Sequence, residues 1–152
     1  MNLTKNFTRA EMLVSATAAR KGISNEPASP EIEANLLSSA QYMQQLRNKL
    51  GKPIQILSCY RSPAVNRAVG GSKNSAHIHA LAIDFVIPGA LSNKYVAEWI
   101  RDNFEFRQLI LEFPDTASGG WVHVEIPGRM GMPEILLATK IGGKTVYKTG
   151  LA

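Results

Sequence analysis

The chain has 152 residues, 45% hydrophobic and 19% charged, the balance of one globular domain spanning 1–152 with enough length to bury a core. No apolar run approaches the ~18 residues of a membrane span, which argues against integral membrane association, and Met1-Asn2-Leu3-Thr4-Lys5-Asn6 carries no apolar signal region. A net charge of +5 favours an anionic partner such as a cell-wall polymer, but the lysines and arginines are scattered, so nucleic acid is not expected.

From the N-terminus, Thr8-Arg9-Ala10-Glu11 fits a capping box that starts a helix running to about Arg20, with Gly22 placed to stop it. A polar loop follows. Ser29 then caps a second helix, Pro30 takes its first position, and Glu31 and Glu33 complement the N-terminal dipole. Ile32, Leu36, Ala40, Met43, Leu46 and Leu50 recur at spacings of three and four and define its buried face, and Gly51 closes it. Ile54–Leu57 reads as a strand. Cys59, the only cysteine, excludes an intrachain disulfide and has the apolar neighbours of a buried small hydrophobe.

The stretch from Ser58 to Asn74 shows no strong periodicity and reads as a long functional loop delivering the chain to His77. Ala80 to Ile87 is a second apolar strand. Ser92 can cap a third helix with Val96, Trp99 and Ile100 inward. Gln108–Phe113 and Trp121–Ile126 read as a hairpin, and Gly142-Gly143 marks another between Leu136–Ile141 and Lys144–Lys148. The expected architecture is α+β: N-terminal helices packed on a small, mainly antiparallel sheet.

The chemistry concentrates around Ser75-Ala-His77-Ile-His79-Ala-Leu-Ala-Ile-Asp84 and the third histidine, His123. Two imidazoles and a carboxylate suit a catalytic Zn2+ site with a position left for water. A fully extended chain would separate His77 from Asp84 by roughly 23 Å, so the two share an ion only if the chain bends near Ala80 and Ala82. His79 competes with His77 for the ligand role. In the strand Trp121–Glu125, alternation puts Trp121, His123 and Glu125 on one face.

Ser75-x-His77-x-x-Ala80-x-Ala82-x-Asp84 resembles the zinc motif Ser-x-His-x-x-Gly-x-Ala-x-Asp of the D-Ala-D-Ala metallopeptidases. This family includes carboxypeptidases, dipeptidases and phage endolysins. Trp121-Val122-His123 is similar to its second motif, Trp-x-His. Ser58-Cys59-Tyr60-Arg61-Ser62-Pro63, then Asn66 and Val69-Gly70-Gly71-Ser72, resembles the segment that leads to the metal in the carboxypeptidase branch. The resemblance implies a hedgehog/DD-peptidase-like fold, Zn2+ held by His77, Asp84 and His123, and hydrolysis of a peptide bond in bacterial peptidoglycan. A monomer is expected, acting on the cell wall, after phage-mediated release if the protein is a lysin.

Three departures stand out, one of them Cys59 in place of a usual Gly. Ala80 replaces a usual Gly, a cost if the position needs a positive φ. Gly120 stands where relatives often carry the acidic general base, three residues before the second histidine. The carboxylate must then come from elsewhere. Glu112, ending the apolar Leu109-Ile110-Leu111, is the first candidate, against a solvent-facing edge position; Glu125 and Asp115 follow. Arg61 offers a bidentate clamp for a substrate carboxylate or oxyanion, or a surface ion pair. Ser75 could bind substrate or form a turn. A non-catalytic wall-binding domain that kept zinc and lost its base is the competing reading.

Overall fold

The structure is a computed structural model that describes residues 1–89 and 91–152. Its chain contacts divide into two units, residues 1–52 with 56–83 and residues 53–55 with 84–152.

In the first unit, Thr8 caps α1 (Arg9–Met12) through the expected box. Its hydroxyl accepts from the Glu11 amide, and the Glu11 carboxylate accepts from the Thr8 amide, both at 3.1 Å. The helix does not continue to Arg20 as its pattern suggests. It stops after one turn, and Ser15 starts a separate α2 (Ala16–Lys21) by accepting from the Ala18 amide at 3.0 Å. A serine hydroxyl competes for nearby amides and so favours a cap over a helix interior, and β-branched Val14 before it adds little helix propensity. Gly22 ends α2 in the left-handed region, as expected.

The long α3 (Pro30–Leu50) matches its sequence signals at both ends, from the Ser29 cap to left-handed Gly51. Leu36, Ala40, Met43 and Leu46 are fully buried, whereas Ile32 and Leu50 at the two ends are only half-buried. Strand β1 (Gln55–Ser58) follows. The expected long loop then contains a helix, α4 (Pro63–Ala68), which buries Val65 and Asn66. Six residues are too few to display a 3.6-residue period. The local signal was Ser62-Pro63, which repeats the Ser-Pro start of α3, with the Ser62 hydroxyl accepting from the Val65 amide at 3.2 Å.

Strand β2 (Ala82–Val86) carries the chain into the second unit, which adds α5 (Asn93–Asn103), β3 (Gln108–Glu112), β4 (Trp121–Glu125), β5 (Glu134–Ile141) and β6 (Lys144–Thr149). The six strands form a mainly antiparallel sheet in the order β1-β2-β4-β3-β5-β6. Both expected hairpins form, β3–β4 and β5–β6, and β5 runs parallel to β3. The α+β class holds, with more and shorter helices than the sequence suggested.

The β3–β4 register sets Gln108, Ile110 and Glu112 beside Glu125, His123 and Trp121 on one face. Leu109, Leu111, Val122 and Val124 point the other way and are fully buried. Helix α5 packs on these two strands, burying Val96, Ala97 and Ile100. Trp99, expected inward, is half-buried at the flank and meets the Phe104 ring at 5.5 Å.

Asn25, in the polar loop after α2, ties distant backbone together. Its amide donates to the carbonyls of Leu13 at 2.9 Å and Tyr60 at 3.0 Å, and its oxygen accepts from the Ser62 amide at 2.8 Å. It therefore fixes the chain on both sides of Arg61. At roughly 1 kcal/mol net per hydrogen bond, Asn25→Ala should lower unfolding free energy by about 2–3 kcal/mol in chemical denaturation; a change under about 0.5 kcal/mol would show the three bonds to be incidental.

Candidate metal centre

The bend required between His77 and Asp84 is present. Residues Ala76–His79 form a single 3-10 turn, capped by Ser75, whose hydroxyl accepts from the His77 amide at 3.2 Å. Ala80 closes the turn in the left-handed conformation, φ 58° and ψ 32°, and the chain leaves it directly into β2 and Asp84. The position does take a positive φ, so alanine occupies it at the usual penalty of a Cβ in that region, on the order of 1 kcal/mol. The turn also separates the two histidines: His77 is buried and His79 is exposed.

Two hydrogen bonds join His77 to the chain around Arg61. The His77 Nδ1–H donates to the Cys59 carbonyl at 2.7 Å, and the Arg61 amide donates to the His77 carbonyl at 3.0 Å. A carbonyl can only accept, so Nδ1 bears the proton and, in the neutral ring, Nε2 carries the lone pair. This is the second-sphere arrangement of a metal-bound imidazole.

His123 lies between two oxygens. Its Nδ1 is 2.8 Å from Asp84 Oδ1, and its Nε2 is 3.1 Å from Gln108 Oε1. The Gln108 amide cannot be turned around, because its Nε2 donates to Glu134 Oε1 at 3.1 Å and a carboxylate only accepts. A neutral imidazole has one N–H and satisfies one of these acceptors. A cation shared by Nδ1 and Asp84 satisfies both, with Nε2–H left to donate to Gln108. That cation is either a second ring proton or a metal ion.

One ligand atom each from His77, Asp84 and His123 lie within 4.8 Å of one another, a group that could hold a metal ion. Two imidazoles with their outer nitrogens engaged and one carboxylate fit a divalent ion of the zinc type.

Of the other candidates, Glu112 is half-buried on the His123 face. Ile110 pairs directly with His123, so Glu112 is its diagonal neighbour, about 7–8 Å away for such pairs. Gly120 explains itself here: at φ +68° its Cα lies against the Glu112 and Phe113 carbonyls, with a built Cβ only 2.6 Å from Phe113 O. No side chain fits, and the absent one lets the loop close onto the strand end that carries Glu112. Glu125 is buried and both its oxygens are held by Arg129. Asp115 is exposed in the loop. Arg61 is half-buried, with Nη1 beside Gly71, where a Cβ would come within 3.2 Å of it and would collide with Asn66 Oδ1. Ser75 serves the turn.

Gln108 and the Cys59 carbonyl were not singled out in the sequence. The period-two pattern Gln108, Ile110, Glu112 could have revealed Gln108; a backbone carbonyl leaves no mark on residue type.

The Peptidase M15 family model matches residues 5–125, most of the chain and both histidine motifs, so the chain belongs to this metallopeptidase family. No curated protein matches it.

Because Gly120 is both left-handed and enclosed, Gly120→Ala should destabilise the protein by about 3 kcal/mol. Thermal or urea unfolding checks this; wild-type stability in the variant would mean the loop accommodates a side chain after all.

Proposed function

We propose that the protein is a zinc-dependent peptidase that hydrolyses a peptide bond in bacterial peptidoglycan, as a D,D-carboxypeptidase or an endopeptidase of the endolysin kind. The observation that carries the reading is the convergence of His77, Asp84 and His123 ligand atoms within 4.8 Å, in a chain of the Peptidase M15 family. The peptidoglycan substrate is supported by the resemblance to D-Ala-D-Ala peptidases and by the net charge of +5, which suits an anionic wall.

His77 Nε2, His123 Nδ1 and an Asp84 oxygen would hold the ion. Zinc, when bound in such a site, polarises a carbonyl and lowers the pKa of water. Around it, the chain's own groups have distinct tasks. Cys59 O and Gln108 Oε1 each hold a ring N–H, so both histidines present a lone pair inward. Glu112 is the general base and then acid, taking a proton from the attacking water and returning it to the leaving amine. Its half-buried place on the His123 face supports this role, as does the engagement of Glu125 by Arg129. Arg61, anchored by its own amide to His77, binds the substrate carboxylate or the oxyanion.

A second reading has one observation in its favour: Gly120 stands where relatives often carry the base, and nothing larger fits there. On that reading the domain binds zinc and wall without cutting. Turnover separates the two. Zinc-loaded protein should release products from purified peptidoglycan, and Glu112→Gln should reduce release by at least ~100-fold while metal content is retained. Full activity in that variant would remove Glu112 from the mechanism, and inert wild-type protein with zinc bound would favour the wall-binding domain.

The outer contacts make a separate prediction. Gln108→Leu removes the acceptor for His123 Nε2–H and should weaken zinc about 10–100-fold in competition with a chromophoric chelator. Unchanged affinity would mean that the tautomer of His123 is set by something other than Gln108.

A further inference from the structure

The family match ends at residue 125, and the β5–β6 hairpin lies beyond it. This hairpin extends the sheet on the side of β3, so its side chains alternate between the two faces in step with those of β3. Glu112 pairs with Trp121 on β4 and with Ala138 on β5, and Ala138 pairs with Tyr147 on β6. Trp121, Glu112, Ala138 and Tyr147 thus form one row across four strands, on the face that carries His123.

Strand spacing alone puts β6 about 10 Å from β3. The position between them is alanine, the smallest side chain in the row and fully buried, so the row itself puts no bulky side chain between Tyr147 and Glu112. Tyr147 feels the charges of both Glu112 and Asp84, which, after burial, help raise its phenol above the usual tyrosine range. Asp84 lies on β2, four strand positions from β6 along the same sheet; the register itself puts Tyr147 in the row of Glu112, on the His123 face. The residue is about half exposed, and its hydroxyl has no hydrogen-bond partner among the described residues. A phenol is protonated near neutral pH, and burial with the nearby carboxylates only strengthens this, so it serves as a hydrogen-bond donor and not as a base.

We propose that Tyr147, on the C-terminal hairpin, is a substrate-contacting residue of this enzyme, donating its hydroxyl to the oxygen of the scissile carbonyl as negative charge develops there. This rests on the peptidase reading above. The hairpin is then one wall of the site, supplied by chain outside the family's matched region. Its β5 strand contributes a second element, Glu134, which orients Gln108 beneath His123.

Tyr147→Phe keeps the ring and deletes the donor. With zinc-loaded enzyme and a soluble peptidoglycan peptide ending in D-Ala-D-Ala, kcat should fall about 100-fold, with KM within about twofold and with zinc content and thermal midpoint unchanged. Tyr95→Phe, at an exposed position on α5, serves as control and should leave kcat unchanged. A Tyr147→Phe variant with wild-type kcat, or with only KM raised, overturns the role while leaving the peptidase reading intact. Wild-type protein that binds zinc but cuts neither this peptide nor whole peptidoglycan overturns the peptidase reading, and the role of Tyr147 with it.

Discussion

The hydrogen bond from the buried His77 ring to the Cys59 carbonyl organises this molecule's chemistry. It selects one tautomer of the imidazole, holds the ring's orientation, and joins the 3-10 turn at Ala76–His79 to the chain that follows β1. The return bond, from the Arg61 amide to the His77 carbonyl, makes the link reciprocal. A candidate ligand and a cationic side chain are therefore placed by the same pair of contacts. Asn25 supports this arrangement from outside by holding Tyr60 and Ser62. The left-handed Ala80 is the strained element that the arrangement tolerates, since only a sharp reversal brings Asp84 back toward His77.

On the other side, the constraint is proton counting. His123 faces two acceptors, and Glu134 fixes which end of the Gln108 amide it meets. A cation shared by Nδ1 and Asp84, a proton or a metal ion, resolves the mismatch. The same sheet face carries Glu112, held at its strand end by the close approach of Gly120. Glycine at 120 and a carboxylate at 112 are thus parts of one local structure. Strands β5 and β6, beyond the matched region, continue the same sheet face.

Much of this was legible before any coordinates. Helix α3 was read correctly at both ends because caps, dipole charges and a long apolar stripe all agree. The expected bend between His77 and Asp84 and the face of His123 followed from chain reach and strand alternation. The failures have physical causes. The break between α1 and α2 depends on a single hydroxyl at Ser15 winning a local amide. Helix α4 is too short for periodicity to be visible. At the site, the candidate ligand side chains carry a recognisable pattern, whereas the groups that orient them are a backbone carbonyl at Cys59 and an amide, Gln108, at a strand's first position. Neither is marked by residue type, and the row from Glu112 to Tyr147 needs the parallel β3–β5 register, which hairpin signals do not provide.

X-ray absorption at the zinc edge, on protein reconstituted with an equimolar amount of zinc, examines the metal centre most directly. The structure predicts a first shell of nitrogen and oxygen at about 2.0–2.2 Å with two imidazoles and no sulfur, and loss of one imidazole in either His77→Ala or His123→Ala. A sulfur ligand from Cys59, an imidazole count that falls in His79→Ala instead, or failure to retain zinc at all would contradict it.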